Sequence, residues 1–263
     1  MKLVAYLFLK RLIDIVFSLL GLIVTSPILL PVMFLVWKQD KHSPFYVAER
    51  VGKDFKPFRM VKLRSMIKNA DISGVDSTSV NDMRITPIGQ FIRKYKLDEL
   101  TQLWNVLTGD MSLVGPRPNV KREIDLYTIE EQRLLSIKPG ITDFASIVFS
   151  DEGEILSEKK DPDLAYNQLI RPGKSRLGLE YISKRGTILD IKILVLTLYS
   201  LQSRSKALKK NSALLARVGA SNRLVELALR DAPLMPDVPP GSTEIVRTRF
   251  IEPNQTESQG GPI

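Results

Sequence analysis

From Ile15 to Trp37 the chain reads IVFSLLGLIVTSPILLPVMFLVW, with no charged residue. At about 1.5 Å per helical residue, such a run reaches across a hydrocarbon core of roughly 30 Å. A membrane segment is therefore the reading that the rest of the chain must fit. A cleaved leader fits poorly, because the run is long, interrupted by prolines and followed by Trp37 and Lys38 rather than small residues. Pro27 cannot donate to the Ile23 carbonyl, and its ring presses on that carbonyl, so the sequence predicts a kink at Ser26-Pro27. The hydroxyls of Thr25 and Ser26 can compensate locally. Lys2, Lys10 and Arg11 precede the run, and Lys38 and Lys41 follow it. Positive flanks on both sides favour two cytoplasmic ends, hence a bent, hairpin-like, re-entrant helix over a span. Asp14 is expected to pair with Lys10 or Arg11 at helical spacing.

Composition narrows the partners. The net charge of +9 on 263 residues points to an anionic partner, and nucleic acid, acidic lipid and phosphorylated substrate all satisfy it. Absence of Cys excludes disulfides, zinc-thiolate sites and thiol nucleophiles, and the single His42 leaves no His pair for a metal.

Beyond the apolar run, Phe45–Ala48 and the alternating stretch Phe55–Met66 predict a β-hairpin around a turn at Val51–Asp54. Residues 69–81 are polar and predict a surface loop. Ile88, Phe91, Ile92 and Tyr95 fall at helical spacing, and Leu97, Leu100, Leu103, Trp104 and Leu107 form a second helical stripe stopped by Gly109. Residues 111–118 predict a loop around Arg117, 120–136 a charged helix, and Lys138–Thr142 a turn. Thr187–Leu201 is strongly apolar, but at about 22 Å of helix it is too short to span comfortably, so core or interfacial packing is expected. Ser205–Arg230 predicts a basic helix, Asp231–Gly241 with its four prolines a linker, and Glu244–Ile251 a short strand before a disordered polar tail. No internal repeat and no glycine-rich phosphate loop of the Walker or dinucleotide type occurs.

Asp98 and Glu99 open the second helix, where carboxylates commonly cap amides and complement the dipole. From the pair alone, capping would be the better explanation. Context changes the weighing: Arg93, Arg117, Lys62 and Arg64 supply bases, and acids among bases suit phosphate chemistry. A carboxylate approaching a diphosphate meets repulsion of about 4 kcal/mol per charge pair at 4 Å and an effective dielectric near 20. Mg²⁺ can offset it while taking carboxylate and phosphate oxygens, and guanidinium groups can hold the rest. Neighbouring helical residues point about 100° apart, so the two acids can divide the roles of nucleophile and metal ligand.

These residues carry a family resemblance. The chain is similar to the small monotopic phosphoglycosyl transferases, bacterial sugar transferases that start glycoconjugate assembly. The likeness runs from Lys10 to Ser200, through KRLIDIVFSLLGLIVTSPILLPV, RVG at Arg50–Gly52, KLRSM at Lys62–Met66, RKYKLDELTQLWNVLTGDMSLVGPRP at Arg93–Pro118, KPGIT at Lys138–Thr142 and LDIKILVLT at Leu189–Thr197. It implies an α+β, mostly helical fold: a re-entrant membrane helix over residues 1–40, broken at Ser26 and Pro27, and a catalytic domain over 41–204 with interfacial helices and a small β-hairpin. Residues 205–263 form an extension of unassigned role. It further implies Asp98 as nucleophile, Glu99 as Mg²⁺ ligand, and Lys62, Arg64, Arg93, Arg117 and Asp190 as substrate-binding residues. A nucleotide diphosphate sugar, with uridine as the expected base, would donate a phospho-sugar through an Asp98-linked intermediate to polyprenol phosphate. The setting would be the cytoplasmic face of the bacterial inner membrane, among membrane lipid, with no nucleic acid and with homo-oligomerisation left open. The chain departs from the family where KPGIT continues as Asp143, Phe144, Ala145 and Ser146 rather than Gly-Trp-Ala-Gln, which puts substrate preference in doubt. Two other readings remain open: a membrane glycosyl transferase that moves only the sugar and releases nucleoside diphosphate, and a non-catalytic anionic-lipid-binding protein.

Overall fold

The computed structural model describes residues 2–70, 82–157 and 159–248. Most of the polar stretch 69–81 and the whole polar tail lie outside these. The fold is mostly helical, with two small two-stranded sheets.

Helix α1 (Lys2–Asp40) is one uninterrupted helix that contains Pro27 and Pro31, about 58 Å long by its rise. The expected break at Ser26 and Pro27 does not interrupt the helix, which runs on through both prolines. Pro27 removes one donor, and the orphaned Ile23 carbonyl is taken by Ser26 Oγ at 2.8 Å. Thr25 Oγ1 adds a bond to Gly21 O at 2.6 Å, so the hydroxyls supply the predicted compensation. Asp14, Ser18, Leu29, Val32 and Val36 are buried at helical spacing and mark the face that docks on the domain. The other faces are apolar and exposed, from Leu3 and Phe8 through Val24 to Trp37.

The α1 flanks are anchored differently from the sequence expectation. Asp14 does not pair with Lys10 or Arg11: its Oδ1 accepts from Leu113 N at 2.9 Å and Ser112 Oγ at 3.1 Å. Lys10 bonds Asp190 at 2.9 Å, and Arg11 reaches the carbonyls of Val106 and Leu107. Local spacing loses to partners from distant elements because those bonds satisfy buried backbone groups as well.

Strands β1 (Phe45–Val51) and β2 (Pro57–Leu63) form the expected antiparallel hairpin, with Ala48 opposite Met60. Helices α2 (Pro87–Lys94), α3 (Leu97–Leu100) and α4 (Leu103–Thr108) follow. The predicted single helix over 97–107 is thus two pieces. Gly89 lets α2 cross the backbone at Ser65 closely, since a methyl there would lie 1.8 Å from the Ser65 carbonyl oxygen.

The stretch expected as loop and turn instead contains a parallel pair, β3 (Ser112–Val114) with β4 (Gly140–Thr142). Two glycines make it feasible: a methyl on Gly140 would stand 2.1 Å from Gly115 N. Between them, the predicted long helix over 120–136 breaks into α5 (Lys121–Ile124), α6 (Ile129–Gln132) and a 3-10 turn at Arg133–Ser136. A Thr128–Glu131 capping box starts α6 afresh.

Helices α7 (Phe144–Val148), α8 (Glu152–Leu156) and α9 (Pro162–Ala165) lead through a π-helical turn at Tyr166–Ile170 into α10 (Arg171–Lys184) and α11 (Thr187–Ser200). The extension adds α12 (Arg204–Arg217) and α13 (Asn222–Leu229), and these are not peripheral. Ala207, Leu208, Leu215 and Ala228 share one buried core with Phe144, Leu177 and Ile193. The proline-rich stretch is a strap rather than a free linker. Asp237 binds Arg176 at 2.8 Å and Arg223 at 2.5 Å, and Gln168 Nε2 donates to Val246 O at 2.8 Å. Its described part after Glu244 forms no strand.

Candidate active site

Asp98 and Glu99 lie in the single turn of α3, entered through Lys96 in the left-handed region at φ 53°. Two buried side chains fix β2 against this turn. Asn105 accepts from Val61 N at 2.9 Å and donates to Arg59 O at 2.8 Å, imitating a neighbouring strand. Thr101 Oγ1 donates to Val61 O at 3.1 Å. Lys62, the next residue, is thereby carried to the acid pair. Sequence reasoning passed over Thr101 and Asn105, although polar residues four apart on an otherwise apolar helical stripe were a signal.

The two acids have different surroundings. Arg117 Nη2 donates to Glu99 Oε1 at 2.8 Å. Burial raises the Glu99 pKa, but Arg117, then Lys62 and Lys96, outweigh it and hold the group at about 2. Asp98 accepts no side-chain hydrogen bond among the described residues. Burial pushes its pKa above the usual carboxylate value, with Glu99 adding to the rise and Lys62, Arg117 and Arg93 opposing it. Lys62 is pushed down to about 8, first by burial and then by Arg117, while Asp98 and Glu99 resist. Arg93 is held by Ser65 Oγ at 2.9 Å and lies near enough to Asp98 to sense its charge.

Asp98, Glu99, Lys62, Arg93 and Arg117 therefore form one cluster. Arg64 and Asp190 are engaged elsewhere. Arg64 makes a two-pronged pair with Asp40 at 2.5 and 2.7 Å and closes the end of α1 on β2. Asp190 accepts from Lys10, from Tyr181 Oη at 2.7 Å and from Tyr6 Oη at 3.1 Å, which ties the start of α1 to α10 and α11. Among the described residues no group of three His, Cys, Asp or Glu side chains surrounds a metal position. Glu99 Oε2 accepts no hydrogen bond among the described residues.

A helix long and apolar enough to cross a membrane, joined to a domain that gathers two acids and three bases, defines the class: a membrane-associated protein suited to phosphorylated substrates. Residues 5–204 match the family described as bacterial sugar transferase, and the chain belongs to that family. It is similar to the UDP-galactose-lipid carrier transferase of Erwinia amylovora, 41% identical over 150 residues that cover 51% of this chain and 31% of the relative. The undecaprenyl-phosphate galactose phosphotransferase of Salmonella typhimurium is 42% identical over the same shares of each chain. The sugar transferase EpsL of Bacillus subtilis is 36% identical over 189 residues, 72% of this chain and 85% of that one. The matched stretch is thus about a third of the length of the first two relatives.

Proposed function

We propose that this chain transfers a phospho-sugar from a nucleotide diphosphate sugar, with uridine as the base, to polyprenol phosphate. The observation that carries the reading is the asymmetry of the acid pair: Glu99 is held by Arg117, and the Asp98 carboxylate accepts no hydrogen bond among the described residues. An Asp98 carboxylate oxygen attacks the sugar-bearing phosphorus, and the bond to the bridging oxygen breaks, which releases nucleoside monophosphate. A phosphate oxygen of the lipid then attacks the same phosphorus and frees Asp98. Arg117, Arg93 and Lys62 hold phosphate oxygens and balance charge as it shifts.

Mg²⁺ fits this donor set. It commonly takes one or two carboxylates and fills its shell with water and substrate phosphate, so an all-protein cage is not needed. Glu99 Oε2, with Asp98 beside it, would hold the ion, which when bound supplies charge neutralisation at the diphosphate.

The docking of α1 supports a membrane arrangement with both of its ends on one side. Its first part is tied to the domain through Lys10, Arg11 and Asp14, and its last residue through Arg64. A perpendicular span would separate these anchors by about 30 Å of hydrocarbon. We read α1 as entering one leaflet from the cytoplasmic side, with the exposed Ile188, Ile191, Val195 and Leu198 face of α11 lying on the same lipid.

Mass spectrometry of the protein mixed with donor alone should find a phospho-sugar on Asp98, and Asp98→Asn should abolish turnover. Release of nucleoside diphosphate alone would favour sugar transfer without phosphate. Both termini should resist external protease in intact cells, and cleavage of one would favour a span.

A further inference from the structure

A second ionisable group lies within electrostatic reach of Arg117, just beyond Ser146, where the stretch that departs from the family ends. Asp143 Oδ1 caps α7 by accepting from Ser146 N at 2.7 Å and Ser146 Oγ at 2.8 Å, and α8 then opens with Glu152. Lys174 of α10 donates to Glu152 Oε2. The same ammonium lies 5.1 Å from the centre of the Tyr166 ring, within the π-helical turn. Such turns often accompany functional sites.

Lys174 is thus fixed from two sides, with 18% of its side chain exposed, whereas Glu152 retains 35%. One oxygen of Glu152 is pinned, and Oε1 accepts no hydrogen bond among the described residues. Burial raises the Glu152 pKa, but Lys174, then Arg117 and Lys62, bring it below the usual value. Gly178, one turn along α10 from Lys174, packs against Pro116, since a methyl on it would stand 3.6 Å from Pro116 Cγ, and this puts the Lys174–Glu152 pair on the side of α10 that faces the Arg117 segment.

A carboxylate repels phosphate unless a cation lies between them, and Asp98 and Glu99 are the pair assigned to that cation, which leaves Glu152 to an uncharged part of the donor. Ionised, it only accepts hydrogen bonds, and the donors nearest a sugar-linked diphosphate are hydroxyls, on the transferred sugar at one end and the ribose at the other. Carboxylates read ribose hydroxyls in this way in dinucleotide sites. We infer that Glu152, held in place by Lys174, accepts a hydrogen bond from a hydroxyl of the donor substrate and sets which donor is used. The inference rests on the donor being a nucleotide sugar.

The test measures donor consumption by the full chain in lipid nanodiscs. The donors are uridine diphosphate sugars and two sets of analogues, one deoxygenated on the transferred sugar and one on the ribose. The parent should favour the full donor over one analogue by about 10- to 100-fold, the range for a hydrogen bond to a charged group. Glu152→Leu should lose that preference, and Lys174→Met should weaken it. Loss confined to sugar analogues assigns the transferred sugar, and loss confined to ribose analogues assigns the nucleoside. Because each preference is a ratio within one variant, partial unfolding cancels. Retention of every preference by Glu152→Leu would overturn the inference. Nucleoside diphosphate among the products would sink phospho-sugar transfer but leave the ratio readable.

Discussion

Arg117 and Glu99 are joined by a 2.8 Å bond from Nη2 to Oε1, so the acid held by a guanidinium and the acid whose carboxylate accepts no hydrogen bond among the described residues are sequence neighbours. Replacing Arg117 should release Glu99 and, on the proposed reaction, remove the fork that holds phosphate. Arg117→Lys keeps charge but loses the planar geometry, and nucleoside monophosphate release should fall by about 10- to 100-fold. Arg117→Met should fall further. Parent-like rates in Arg117→Met would remove Arg117 from the reaction.

Lys62 sets an alkaline limit. Burial, then Arg117, lower its pKa to about 8, so its charge is lost as pH rises through that value and kcat/KM for the donor should fall. Lys62→Arg stays charged and should move that limb upward by more than one pH unit. The effect on stability has the opposite sense. The folded pKa lies below the ordinary 10.5, so the charge costs the fold in full below about 8, and the cost disappears as pH approaches 10.5.

Asp190 should behave as a structural anchor. Asp190→Ala leaves Lys10 and Tyr181 without their buried partner, and breaking such a pair costs about 3–5 kcal/mol. Thermal unfolding should move down markedly, while donor KM in the folded fraction stays within about twofold. A large KM rise at unchanged stability would return Asp190 to the substrate site.

Asn105 should couple stability to chemistry. Asn105→Leu orphans Val61 N and Arg59 O, at a cost of about 1–3 kcal/mol for each unmet group. It also frees the strand that carries Lys62, so the alkaline limb near pH 8 should shift. Loss of stability with an unchanged pH profile would show that β2 is placed by other contacts.

The hairpin was legible because alternation at Phe55–Met66 is a local signal, and so was the acid pair with Lys62, Arg93 and Arg117. The continuity of α1 was not. A proline in a helix reads as a break, and whether Ser26 Oγ reaches the freed carbonyl depends on a rotamer that the sequence does not carry. The β3–β4 pair escaped notice because three-residue parallel strands joined by a long crossover give no periodicity. The anchoring of Asp190 was hidden for a related reason: a motif fixes its position in the chain, not that Lys10, some 180 residues earlier, comes to meet it. Prolines at 233–240 suggested a linker, but strap and linker differ only in tertiary partners such as Arg176 and Arg223.

The family match stops at residue 204, but the packed interior does not. Ala207 and Leu215 are fully enclosed beside Phe144 and Ile193, which come from inside the matched region. A chimera that transplants only 5–204 would carry an unsealed interior, so the unit that can be exchanged between relatives is longer than the unit they share. Swapping residues 143–152 among these enzymes means moving α12 and α13 along with them, or redesigning the surface they cover.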